Sequence, residues 1–352
     1  MTRPLVVHVA AFANPAGGSF IAGLVRLAQR HAEFETVLLC PESSARYSWT
    51  SLLRKSGVRV VHAKTAFEVV AALARMRPAV VHAHFVSWAL PAMLGATAAH
   101  ARLAWHLHSG VAQSTARRNL ARHAKYAVAK RLVERFYCVS PDLIEYLEQY
   151  GVARSQMVEL PNGVDLERFR PATLRERAAA RRAFGLAPRD RAIAFFGRDA
   201  HVKGADRLAR ALLSMEPRPH ALVIAPSAAS LKLLAHDRTI DAGCVADVRE
   251  VLWACDAFAL PSRVETVTYG LLEARGCGLP AVASPLPGIE RAFRADAGTE
   301  LVDADDAQAF AVALERALLR GVTPLSSELA RSLSIDLWSD RLAEWYTMES
   351  AA

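Results

Sequence analysis

Cysteine is sparse and unpatterned: the 352-residue chain holds five, Cys40, Cys138, Cys244, Cys255 and Cys277, with no CxxC pair. An odd, scattered set excludes a disulfide framework and a thiolate metal site, and points to buried thiols in a reducing compartment. Long apolar runs are missing too, and none approaches the ~18–20 residues needed to span a bilayer. The first twenty residues do not read as a leader, because Asn14-Pro15 and Gly17-Gly18 break the apolar stretch. The expectation is a soluble, cytoplasmic protein. The dinucleotide fingerprint GxGxxG is absent after the first apolar strand. Basic residues interleaved with aromatics are also lacking, so nucleic acid is not expected as a partner.

What is present is globular: 52% apolar and 22% charged residues, enough for two domains each with its own core. A net charge of +8 favours a phosphate-bearing ligand or an anionic lipid surface.

Apolar strands alternate with helical patterns from Leu5 onward: strands at Leu5–Ala11, Glu35–Cys40, Arg59–His62, Ala79–His84, Leu103–Leu107 and Arg135–Val139, with a short one at Val158–Leu160. This rhythm predicts a doubly wound parallel sheet. It breaks at Pro161-Asn-Gly-Val-Asp165 and resumes with strands at Ala192–Phe196, Ala221–Ala225, Ala242–Val245, Ala257–Leu260 and near Glu300–Val302. The fold class is therefore α/β, two Rossmann-like doubly wound domains, residues 1–165 and 166–335. A final helix with Trp338, Trp345 and Tyr346 is expected to pack back on the first domain.

The most informative stretch is Pro261–Ser284, in which Glu265 and Glu273 stand with seven residues between them around a loop that turns into a helix. Thr266, Thr268 and Gly270 suit a helix start, whose unpaired N–H groups and partial positive charge suit a phosphate. A carboxylate on either side of that anion site fits a ligand laid out polyol–phosphate–polyol. An ordinary amphipathic helix with two surface glutamates fits the same spacing.

Four stretches in order decide between these. PNGVDLERFRP (Pro161–Pro171), FFGRDAHVKGADRL (Phe195–Leu208), DAGCVADVREVLWACDAFALPS (Asp241–Ser262) and ETVTYGLLEARGCGLPAVAS together resemble the family 4 group of GT-B glycosyltransferases, over most of the chain. That resemblance implies two domains facing across a cleft and retaining, metal-independent transfer from a nucleoside-diphosphate sugar, with no cofactor. It implies that Arg198 and Lys203 neutralise the diphosphate, that Glu273 bonds the ribose and Glu265 the donor sugar, and that Thr266, Val267, Thr268 and Tyr269 present backbone N–H groups to the phosphates. Val245, with Asp247, is expected near the base. Gly17 and Gly18 match the family's first glycine loop beside donor and acceptor, and His108 in WHLHSG matches a histidine near the reacting sugar. Strand alternation is read as separating His106 from His108, so that only one of them serves the site; His82 and His84 carry a weaker signal.

Some residues depart from the pattern. LVIAPS (Leu222–Ser227) lacks the glycine common after this strand, which implies an altered pocket. Asp303-Ala-Asp305 mimics a metal-binding DxD but reads as a solvated turn. The basic run Arg117, Arg118, Arg122, Lys125, Lys130, Arg131 and Arg135 reads either as a solvated helix or as a patch for an anionic membrane at the inner face, which would suit a lipid-linked acceptor; a glycan or small-molecule acceptor is equally open. A sugar-nucleotide epimerase or phosphorylase on the same scaffold, or a non-catalytic nucleotide-sugar binder, are the alternative readings.

Overall fold

The structure, a computed structural model, describes residues 3–14, 17–85, 87–108, 116–245 and 247–348, and of residues 116–120 the backbone only. The chain divides into two compact units: Met1–Gly163 with Ile335–Ala352, and Val164–Ser334.

The first unit is a seven-stranded parallel sheet of β1 (Leu5–Ala10), β2 (Glu35–Pro41), β3 (Arg59–Ala63), β4 (Val80–His84), β5 (Arg102–Leu107), β6 (Arg135–Cys138) and β7 (Met157–Glu159). Their order is β3-β2-β1-β4-β5-β6-β7. The central strands read as continuous apolar runs because helices cover both faces. Val7, Val9, Val81, Ala83, Leu103 and Trp105 fill one face, beneath the helices Ala66–Met76 and Ala89–Ala99. The second of these helices, apolar all round, was not apparent in the sequence rhythm.

The opposite face holds Val6, Val80, Ala104 and Tyr137, closed by the C-terminal helix Ile335–Thr347 through Trp338, Leu342, Trp345 and Tyr346. That helix lies along the helix Gly18–Arg30. A Cβ at Gly23 would stand 3.0 Å from the Trp338 ring, and Asp340 bridges to both Arg30 and His31.

The second unit is a six-stranded parallel sheet of β8 (Ala192–Phe196), β9 (His220–Ile224), β10 (Thr239–Gly243), β11 (Ala257–Leu260), β12 (Ala281–Ala283) and β13 (Thr299–Leu301), in the order β10-β9-β8-β11-β12-β13. The expected strand at Ala242–Val245 begins three residues earlier, since Thr239-Ile240-Asp241 pairs with β9 despite its polar ends. One helix of this unit carries a capping box, Thr173 with Glu176. Arg275 is fully buried and held by Asp296, the Leu279 carbonyl and Thr323.

Candidate functional site

In a parallel doubly wound sheet, ligands settle at the carboxyl ends of the strands, where the strand order reverses. In the second unit that point lies between β8 and β11: β9 and β10 extend one way from β8, β11 to β13 the other. The loops leaving β8 and β11 carry the residues singled out above.

After β8 the chain turns through Arg198, is capped by Asp199, makes the single turn Ala200–Lys203 and passes Gly204. Gly204 has φ +72°, and a Cβ there would come 2.1 Å from the Pro261 carbonyl oxygen. Only glycine lets the two loops lie backbone against backbone. Arg263 fastens them again, with a forked ion pair to Asp206 and a bond to the His201 carbonyl. Arg207 donates to the Pro261 and Ser262 carbonyls.

That bracing delivers Lys203 to Glu265. The two form an ion pair, and the Ser262 hydroxyl donates to the same carboxylate from 3.3 Å. Arg198 stands exposed at the end of β8, with no hydrogen-bond or ion-pair partner among the described residues. The site therefore presents one unpaired guanidinium and one ammonium already balanced by a carboxylate.

Beyond Glu265, Thr266 and Val267 are buried, and Val267 belongs to the apolar core, which anchors the loop from beneath. Thr268 precedes the helix Tyr269–Gly276 in extended conformation, and its side chain makes no cap bond. Its first N–H groups thus keep the orientation of an anion site. Glu273 is 6% exposed on this helix. Burial and then the Glu273 carboxylate push the Tyr269 hydroxyl up; the same two causes push the Cys277 thiol up to about 12. Both shifts place the carboxylate in a low-dielectric pocket. The helix begins later than the threonines implied, because Val267 turns inward.

Val245 follows β10 and packs on the same core. Asp247 is occupied structurally: it caps the helix Val248–Ala254, and Arg249 and Arg168 both bind its carboxylate. At the missing-glycine position the chain still adopts the conformation glycine favours, for Ala225 has φ +47° and its N–H bonds the Gly243 carbonyl.

In the first unit the order reverses between β1 and β4. Gly17 and Gly18 leave β1 with φ +69° and +66°, and Gly18 opens the helix Gly18–Arg30. His108 follows β5 and is 9% exposed. One reading needs correction: His106 and His108 lie on the same side, their rings stacked 4.1 Å apart, since residues two apart on a strand share a face. His8, His82 and His84 join them, with His8 level with His82 and His84 with His106 across the parallel register. His8 was not singled out in the sequence, although the spacing of VHVAA, VHAHF and WHLHS was its signal.

The five rings form a buried ladder. Asn162 Oδ1 accepts from His108 Nδ1 at 3.2 Å; His108 Nε2 lies 2.9 Å from His84 Nδ1, and His84 Nε2 lies 2.9 Å from His8 Nδ1. Since an amide oxygen only accepts, His108, His84 and His8 each donate through Nδ1, and His108 and His84 accept through Nε2. Tyr346 bonds His82 Nδ1. Burial lowers all five histidines, His8 to about 3 and His108 to about 4.

Asp305 is no free turn carboxylate, being paired with Arg207 and Arg210. Lys125 of the helix Ala116–Leu132 is drawn over the Trp105 and Tyr126 rings, with burial lowering its pKa to about 8, while Arg117 and Arg118 lie outside the described side chains. Cys244 is exposed and the other four cysteines are buried. Among the described residues no helix is long and apolar enough to cross a membrane.

Two families match the chain: Glycosyltransferase Family 4 over residues 26–168 and Glycosyl transferases group 1 over residues 190–320. A D-inositol 3-phosphate glycosyltransferase of Rhodococcus opacus (strain B4) is 28% identical over 267 residues, 70% of this chain and 56% of its own length. One from Salinispora arenicola (strain CNS-205) is 32% identical over 216 residues, 54% of this chain and 48% of its length. The chain thus spans about half the length of these curated relatives. Among solved structures, Anabaena Alr3699/HepE in complex with UDP-glucose superposes with a TM-score of 0.82 at 17% identity, covering 97% of this chain and 99% of that one. At that identity the likeness concerns the fold.

Proposed function

This chain is a family 4-like glycosyltransferase of the GT-B fold, one matched domain to each unit, and from that premise we propose that it moves a sugar from a nucleoside diphosphate to an acceptor with retention of configuration. The observation that carries this reading is the Lys203–Glu265 pair at the β8/β11 reversal, next to the exposed Arg198 and the helix start at Tyr269. A diphosphate placed there meets a planar fork, a compact cation and oriented N–H groups. Those groups stabilise the charge that gathers on the departing diphosphate.

In this reading Glu265 exchanges Lys203 for the donor sugar's hydroxyls, and the buried Glu273 bonds the ribose. Val245 lies toward the base. Gly17, Gly18 and His108 line the acceptor side. His108 Nδ1 donates to Asn162 and its Nε2 accepts from His84, so both ring nitrogens are occupied and the ring acts by orientation rather than as a free base. The departing phosphate then receives the acceptor's proton. Neither metal nor cofactor has a part in this scheme.

The uridine nucleotide held by the Anabaena protein makes UDP-sugars the first donors to try. The inositol phosphate in the names of the Rhodococcus and Salinispora relatives makes an anionic polyol a natural first acceptor; a lipid-linked acceptor reached from an anionic membrane surface is the other class to screen. Release of nucleoside diphosphate that requires an acceptor supports transfer. Binding of a nucleotide-sugar with no release over a broad acceptor screen contradicts it.

A further inference from the structure

The histidine ladder exceeds what sugar transfer asks of the first unit, since one ring would suffice beside the substrate. We propose that His84, His106 and His108 form an all-nitrogen binding site for a single borderline divalent transition ion such as Zn²⁺ or Co²⁺. The three rings can each offer a nitrogen such that all three lie within 4.8 Å of one another. Burial keeps the rings neutral, so each has a lone pair to give. Three imidazoles with an open fourth position are a recurrent zinc arrangement, and nitrogen without thiolate or carboxylate suits the borderline ions rather than Mg²⁺ or Ca²⁺.

The outer partners match. Ligating histidines hand their other N–H to an acceptor. His108 already donates Nδ1–H to Asn162, leaving Nε2 for the ion. His106 makes no ring hydrogen bond of ordinary geometry, while the Leu160 carbonyl lies where it favours a proton on that ring. His84 has His8 beyond it. Of the five rings, only His108 reaches the surface, giving an entry path and a place for a water as fourth ligand.

The protons balance without release. Before binding, the proton on His84 Nδ1 lies between His84 and His108, 2.9 Å apart. The ion takes its place, opening that gap to about 3.3 Å for bonds of about 2.0–2.1 Å. His84 then carries its proton on Nε2 and donates it to His8 Nδ1, and the His8 proton moves to Nε2, a buried nitrogen with no hydrogen-bond partner. This site shares His108 with the acceptor side of the sugar-transfer reading, and the metal titration below reads ion binding apart from transfer.

The test is a Co²⁺ titration of the chelator-treated full chain, followed by visible absorption. One equivalent per chain should bring up the intense bands of a four-coordinate ion. His106→Gln should abolish them, Asn162→Ala should weaken binding roughly 10–100-fold, and the exposed His100→Ala should leave binding unchanged. No band up to millimolar Co²⁺, or equal affinity in His106→Gln, overturns the proposal. Should His106→Gln lose its far-ultraviolet circular dichroism, anomalous diffraction from zinc-soaked wild-type crystals decides instead. A peak among the three rings supports the site; a peak elsewhere only, or none, overturns it.

Discussion

Lys203 and Glu265, 62 residues apart in sequence, are ion-paired at the carboxyl ends of two adjacent strands. Neither residue is fully buried, so the pair exchanges partners readily when a diphosphate and a sugar arrive. Lys203→Ala should therefore lower kcat by about 10²–10³-fold, the usual loss when a donor to developing negative charge is removed. Glu265→Gln should instead tighten nucleoside diphosphate binding, since Lys203 loses its competitor, while lowering transfer. Initial rates and a diphosphate binding isotherm for both variants check this; unchanged rates in Lys203→Ala would count against it.

Gly204 permits the contact between those loops. Gly204→Ala places a methyl 2.1 Å from the Pro261 carbonyl oxygen and demands a left-handed alanine. Strain and displacement together should cost about 2–4 kcal/mol. Urea unfolding should show a lower midpoint, and donor binding should weaken as the loops part.

Ala225 offers the opposite case. An alanine held at φ +47° costs about 1–2 kcal/mol, part of which glycine's greater unfolded-state freedom would take back. Ala225→Gly should thus raise stability by about 0.5–1 kcal/mol, read as a higher urea midpoint with the same slope.

These positions show what was legible beforehand. Continuous apolar strands and the βα rhythm carry the two parallel sheets plainly, because burial on both faces leaves no room for polar alternation. The residues of the second-unit site were readable as a family pattern, yet their bracing was not: Arg263–Asp206 and the Gly204–Pro261 contact join segments about sixty residues apart, and no local spacing records them. The helix Ala89–Ala99 was missed because it is apolar on every side and so has no amphipathic period. His8 was missed because a single histidine in an apolar strand is conspicuous only once the register sets it beside His82.

The ladder also predicts a pH dependence in chelator-treated protein. Folding holds His8, His82, His84, His106 and His108 neutral, with values down to about 3 for His8 and about 4 for His108, against about 6.5 in the unfolded chain. The unfolded state therefore binds more protons, and stability that is complete above pH 6.5 falls as the pH drops toward 4. His8 and His108, whose folded values lie at about 3 and about 4, each contribute up to about 1.4 kcal/mol per pH unit in that window. The other groups facing the ladder, Tyr346 and Tyr137, are pushed up by burial and do not titrate there. Urea midpoints from pH 7.5 to 4.5 should decline steeply, and less steeply in His82→Phe; a flat profile would contradict the buried neutral rings.

The most direct measurement is thermal unfolding of the full chain with UDP, ADP and GDP, in wild type and in Arg198→Ala/Lys203→Ala. At a hundredfold excess over Kd, one nucleoside diphosphate should stabilise the wild type by about 2.7 kcal/mol, and the double variant should lose most of that shift while unfolding normally without ligand. No shift with any nucleoside diphosphate, or an equal shift in the double variant, would contradict a diphosphate site at the β8/β11 reversal.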